Sequence, residues 1–248
     1  MSKIFDALRK AELEPDPFSD GTDQAPRLLR QHPRQVRLFE REFSYLSNAV
    51  QGAFRRSSTG RIVLVLGCVE GEGASYISSN LSRTLARTVG APILYMDGNM
   101  HDSSLLENFS VSDTYGLADL YANKQIDDLS KTIQATETSH LYVLGSGRSR
   151  VSPVALFDSE DFRRVAVSLR RTFRFVIIDG PPLLKHPDAL QLASHADGVV
   201  LVVRQKHLTR EVVRKGIEQL RAINAPLLGA ILNRRRFAIP TLIYKLIS

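Results

Sequence analysis

The feature that most constrains this chain is a series of short apolar runs rich in β-branched residues. RIVLVLG (61–67), APILYMD (91–97), LYVLG (141–145), FRFVIIDG (173–180), DGVVLVVR (197–204) and LLGAILNR (227–234) are continuously apolar rather than alternating. Strands of that kind are buried on both faces. Between them the spacing predicts helices near 37–55, 74–89, 115–123, 158–172, 187–194 and 208–222. Strands that alternate with helices imply parallel βαβ units. The expected fold class is therefore α/β, a three-layer arrangement with a mostly parallel sheet and helices on both faces.

Composition supports a globular chain with a full core. Of 248 residues, 43% are hydrophobic and 24% charged, which excludes disordered, collagenous and membrane-embedded classes for the whole. Cys68 stands alone, so an internal disulfide and clustered zinc or iron–sulfur ligation are excluded, and a reducing compartment such as the cytoplasm is expected. The net charge of +7 favours an anionic partner. Arg163, Arg164, Arg170, Arg171 and Arg174 could form a nucleic-acid patch, but they lack interleaved aromatic readers and are expected to border a helix face in solvent.

The two ends read differently from the middle. Residues 1–13 carry Ile4, Phe5 and Leu8 on an expected amphipathic helix, without the apolar stretch of a signal peptide. Residues 14–35 read as a flexible linker, because 14–33 hold four of the eleven prolines. The main domain is expected over 36–236. The tail 237–248 alternates apolar residues behind Arg234, Arg235 and Arg236, a pattern that suits an anionic membrane surface, a membrane-protein partner or packing on the core.

The loop after the first strand is the most informative about chemistry. CVEGEGAS (68–75) follows a strand and leads into a helix, the context of a phosphate-binding loop. Gly71, Gly73 and Ser75 match GxxxxGK(S/T), whereas Cys68 and Ala74 depart from it. Backbone N–H groups and the helix start still offer part of an anion cradle. The missing ammonium removes a charged hydrogen bond of roughly 1.5–3 kcal/mol, hence ten- to a hundredfold in triphosphate affinity. The same residues also fit a glycine-rich turn that holds no ligand. Asp97 and Asp179 end later strands, where carboxylates hold Mg²⁺ on a nucleotide, and Asp188 and Asn233 lie at further edges of that face.

Taken in order, these segments resemble the bacterial tyrosine autokinases (BY-kinases) of exopolysaccharide and capsule synthesis, relatives of MinD/ParA-type P-loop ATPases. The likeness covers about residues 36–236: VEGEGAS…NLS (69–82) against PGEGKS…NLA, ILYMDGNM (93–100) against a strand ending in DAD, and FVIIDGPP (175–182) against DTPP. It extends through LYVLGSG…SPVALF (141–157), PDAL (187–190), DGVVLVVR (197–204) and LGAILNR (228–234). The resemblance implies a P-loop NTPase-like domain. It implies nucleotide binding by Gly71, Glu72, Gly73, Ala74, Ser75, Asn233 and Arg234, and Mg²⁺ at Ser75, Asp97 and Asp179.

The departures from the family pattern shape the functional expectation. Ala74 replaces the loop lysine, Asn99 the second Asp of its motif and Glu70 a proline. An oligomerising ExxRxxR pattern falls on Arg41, Ser44 and Ser47, and the phosphorylated tyrosine cluster is reduced to Tyr244. The expected function is a regulator or scaffold of polysaccharide synthesis and export with a degenerate nucleotide site, a pseudokinase for which Mg·ATP or Mg·ADP is a weakened ligand. The implied partner is an inner-membrane polysaccharide co-polymerase or another export-complex protein. Ile4, Phe5 and Leu8 or the tail would dock it at the inner face of the membrane, and homo-oligomers are possible. The alternatives are an active autokinase or ATPase, with Arg204, Lys185 or a neighbouring subunit supplying the missing charge, and a ParA-like DNA-associated ATPase.

Overall fold

The structure, a computed structural model, describes residues 33–101, 109, 111, 115–126, 128–205 and 208–233, with side chains from Arg41 onward. Among these residues, seven strands form one sheet: β1 (Arg61–Gly67), β2 (Ile93–Asp97), β3 (Ile133–Ala135), β4 (Leu141–Leu144), β5 (Phe175–Asp179), β6 (Gly198–Arg204) and β7 (Leu227–Asn233). Their order is β3-β4-β2-β5-β1-β6-β7. Every pairing is parallel except that of β3 with β4. The helices are α1 (Pro33–Ala53), α2 (Ala74–Val89), α3 (Leu117–Ala122), α4 (Pro153–Asp158), α5 (Glu160–Thr172), α6 (Asp188–His195) and α7 (Arg210–Ala222). None among the described residues is long and apolar enough to cross a membrane.

The continuous apolar strands build two cores because successive side chains point to opposite faces. Ile62, Leu64 and Leu66 pack with Leu156, Phe162, Leu169, Leu192 and Leu220 from α4 to α7, together with α3. Val63, Val65, Ile177 and Val202 face the other way, onto Phe43 and Val50 of α1 and Ile77, Leu81 and Leu85 of α2. The three layers expected from the sequence are present. Each fully buried aliphatic side chain contributes roughly 1.5–3 kcal/mol, so a sheet lined on both sides can hold polar groups at its carboxyl edge.

Local chemistry explains where the elements differ from the pattern read in the sequence. The helix expected over 158–172 is α5, which starts at Glu160 behind Ser159, whose Oγ accepts the Phe162 N–H at 3.1 Å as its N-cap, and the short helix α4 before it was not expected. Pro153 starts α4 behind Ser152, whose Oγ accepts the Ala155 N–H at 3.3 Å. The antiparallel strand β3 was not expected, since its three residues carry no apolar run and depend on β4 for their register. The strand placed at 91–97 begins at Ile93, and the Pro92 carbonyl instead accepts the Arg174 N–H at 2.8 Å. The α1 helix begins at Pro33, where proline suits a first helical turn.

The arginines of α5 and its flank are only partly in solvent, a correction to the reading of a solvated face. Arg163 and Arg164 pair with Glu160 and Asp161 one turn back. Arg170 Nε instead bonds Asp197 at 2.8 Å, and its Nη2 reaches the His195 carbonyl at 2.6 Å. Arg174 Nη1 donates to the carbonyls of Ser57 and Thr59, each at 3.0 Å. Asp197 also accepts from Arg61 Nη1 at 3.0 Å and the Ile62 N–H at 2.8 Å, tying β1, α5 and β6 together.

Candidate nucleotide site

Parallel strands bring their carboxyl ends to one edge, where ligands of open α/β sheets bind. The loop after β1, Asp97 at the end of β2, Asp179 at the end of β5 and Asn233 at the end of β7 all belong to that edge. Asp97 and Asp179 are register partners in the β2–β5 pairing. Two carboxylates far apart in sequence thus end at the same level, both fully buried.

Asp179 is the better defined of the two. Ser78 Oγ donates to its Oδ1 at 3.1 Å and the Tyr95 hydroxyl to its Oδ2 at 3.3 Å, and Ser75 is a further hydroxyl partner. Burial nevertheless dominates, raising the carboxyl to about 6 against the opposing pull of these three hydroxyls. Tyr95 is driven well above its ordinary value by burial and by the Asp179 and Asp97 charges. Asp97 Oδ1 accepts the Asn99 N–H at 3.0 Å. Ser75, Asp97 and Asp179 present hydroxyl and carboxylate oxygens, the hard donors that suit Mg²⁺.

The glycine loop keeps its shape and changes its charge. Gly71 (φ 76°) and Gly73 (φ 89°) adopt left-handed conformations that favour glycine, and Gly73 is the N-cap of α2. A Cβ on Gly73 would stand 2.3 Å from Asn233 Nδ2, which itself donates to the Glu72 carbonyl at 2.8 Å. Asn233, expected near the nucleotide base, is here a brace on the loop backbone.

The Glu72 side chain turns inward and is 1% exposed. Its carboxylate accepts the Val69 N–H at 3.0 Å and the Arg204 N–H at 3.4 Å, so it occupies a donor that an anion could otherwise use. Glu72 and, more strongly, burial push the Cys68 thiol up to about 11. Ala74 opens α2 with no charge to offer.

Among the described residues, two basic side chains flank the loop. Lys185 Nζ pairs with Glu70 on the loop itself, and Arg204 Nη1 lies 3.5 Å from the Gly71 carbonyl. Beside them, His101 Nε2 stands 3.1 Å from each carboxylate oxygen of Asp188, and its ring stacks on that of His186 at 3.7 Å. Burial, reinforced by His101, lowers the His186 pKa.

Ser78, Tyr95, His101 and His186 escaped the sequence reading. Ser78 could have been found as the i+3 neighbour of Ser75 on one helix face, and Tyr95 as the same-face partner of Asp97 in β2. The two histidines carry no such signal, because they meet only through β2–β5 pairing. On α1, Ser47 is fully buried and hydrogen-bonds Thr88 of α2 at 3.2 Å, so that position of the expected oligomerising pattern faces inward. Arg41 instead donates to the exposed Tyr45 hydroxyl. Ile4, Phe5, Leu8, Arg234 and Tyr244, with the expected N-terminal helix and tail, lie outside the described residues.

No family model matches the chain. It is 29% identical over 209 residues to the tyrosine-protein kinase CpsD of Streptococcus agalactiae, covering 84% of this chain and 89% of that protein. It is 30% identical over 176 residues to the tyrosine-protein kinase YwqD of Bacillus subtilis, covering 71% and 73%. Among solved structures, the kinase domain of VpsO aligns with a TM-score of 0.71 at 26% identity, over 83% of this chain and all of that one. MinD of Pyrococcus horikoshii, solved with Mg-ADP, shares the fold with a TM-score of 0.61 at 24% identity, over 76% and 77% of the two chains. Similarity of this extent, on a parallel sheet whose carboxyl edge carries the glycine loop and paired aspartates, makes the chain a member of the bacterial tyrosine-kinase family built on the MinD/ParA-type P-loop fold.

Proposed function

We propose that this family member has a weakened nucleotide site and acts by binding, as a regulator or scaffold in exopolysaccharide or capsule synthesis and export. The observation that supports this reading is the charge at the head of α2. Ala74 carries none, the inward side chain of the loop is the Glu72 carboxylate, and Lys185 is paired with Glu70. Ser75, Asp97 and Asp179 would hold Mg²⁺, which on a bound nucleotide neutralises phosphate charge. A phosphoryl group in transfer needs a positive clamp as well, and loss of one such donor costs on the order of 10²–10³ in rate. In this reading the partner is a membrane polysaccharide co-polymerase, reached through Ile4, Phe5 and Leu8 or through the C-terminal tail. The protein then works on the cytoplasmic face of the membrane.

Calorimetric titration with Mg·ATP and Mg·ADP tests it. The wild type should not bind at micromolar nucleotide, and Ala74→Lys should gain affinity. Micromolar binding by wild type, with phosphotyrosine forming on the purified protein, would refute the scaffold reading and favour an active kinase. The Lys185–Glu70 pair gives that second reading a specific candidate, because it holds an ammonium on the loop. Lys185→Met would then abolish both signals.

A further inference from the structure

The two loops that carry Asp97 and Asp179 converge a second time, a few residues further on, and there the chemistry changes from oxygen donors to imidazoles. His101, His186 and Asp188 offer ligand atoms that all lie within 4.8 Å of one another. Asp188, at the start of α6, is 1% exposed and presents both oxygens to His101 Nε2 at 3.1 Å. His186 is half-buried, and the His101 ring is the outermost of the three.

We infer that His101, His186 and Asp188 form a binding site for one transition-metal ion of the Zn²⁺ type, separate from the Mg²⁺ position at Ser75, Asp97 and Asp179. Tetrahedral Zn²⁺ with bonds of about 2.0–2.1 Å sets its ligand atoms about 3.3 Å apart. The His101–Asp188 edge already has that spacing. The third ligand must close by at most about 1.5 Å to complete the face, and the His186 ring, now stacked on His101, must turn so that its nitrogen lone pair meets the ion, a rotation open to a half-buried side chain on a loop. Two imidazoles and one carboxylate suit zinc, cobalt or nickel and are poor ligands for Mg²⁺. Three protein ligands leave a fourth position for water or for a partner's side chain.

Occupancy would staple the segment after β2 to the segment after β5. His101 lies four residues beyond Asp97, and His186 seven residues beyond Asp179. A bound ion therefore couples the spacing of the loops after β2 and β5 to metal supply without touching Asp97 or Asp179.

The test uses untagged full-length protein and ZnCl₂ or CoCl₂ alone. Wild type should bind one equivalent of Zn²⁺ with micromolar affinity or better, melt at a higher temperature when loaded, and give the visible absorption of tetrahedral Co²⁺. His186→Ala and His101→Ala should each weaken binding at least about tenfold, the lower end of the loss seen when even an outer partner of a metal ligand is removed. Both should lose the zinc-dependent rise in melting temperature. His140→Asn, an exposed histidine outside the cluster, should bind as wild type does. If His186→Ala, melting normally without metal, binds Zn²⁺ as tightly as wild type, the assignment is wrong. If wild type takes up no stoichiometric metal at 100 micromolar, the three residues are a hydrogen-bonded cluster and the assignment is equally wrong.

Discussion

Asp179 makes the stability of the metal-free protein depend on pH in an unusual direction. Its carboxyl is raised from an ordinary 3.8 to about 6, with burial the main cause. A raised carboxyl means that folding favours the protonated form. The stabilisation is complete below about pH 3.8 and is lost as pH rises through about 6, the reverse of a salt-bridged aspartate. The shift of about two units corresponds to roughly 3 kcal/mol of penalty once the group is ionised in both states. About half of that penalty is present at pH 5 and nearly all at pH 7. Asp179→Asn keeps the shape and removes the charge, at the cost of a pH-independent change in its hydrogen bonds to Ser75, Ser78 and Tyr95. The quantity to read is therefore how the difference between the two proteins changes with pH. Urea denaturation without Mg²⁺ should show Asp179→Asn gaining on wild type by roughly 1.4 kcal/mol between pH 5 and pH 7. A constant difference across that range would refute the argument that burial dominates over the three hydroxyls.

The remaining predictions concern the loop and its supports. Gly73→Ala should destabilise by roughly 1–3 kcal/mol in urea denaturation, since its φ of 89° is strained for alanine and the new Cβ meets Asn233. Asn233→Ala in that background should recover only the steric part of the loss. Ala74→Lys should raise Mg·ATP affinity ten- to a hundredfold by calorimetry; an unchanged affinity would mean that Glu72, rather than the missing lysine, limits binding. Asp197→Ala should cost roughly 1.5–3 kcal/mol in thermal or urea unfolding, because Arg61, Arg170 and the Ile62 N–H all lose an acceptor there.

Much of this protein is written locally. The apolar runs specify strands because only a sheet covered on both faces can bury every side chain of RIVLVLG or FVIID, and the two cores divide odd from even residues as strand geometry requires. Gly71 and Gly73 mark the loop by backbone needs and Ser75 by its hydroxyl, and Asp97 and Asp179 mark strand ends. The missing lysine is equally visible, as a residue type at a spacing.

What the tertiary structure decided is which distant groups share space, and which way each one points. Strand order is set by crossovers that no local pattern encodes, so the β2–β5 pairing that levels Asp97 with Asp179 and joins His101 to Asp188 appears only in the fold. The directions of Glu72 and Asn233 are likewise tertiary, one turned beneath the loop and the other bracing it, because buried backbone donors and acceptors must find partners. The short strand β3 has a register only through β4. The sequence determines the elements and the inventory of chemistry at their ends, through backbone conformation and burial. Pairing in three dimensions determines the electrostatics of the site, because charge acts through distance and desolvation rather than along the chain.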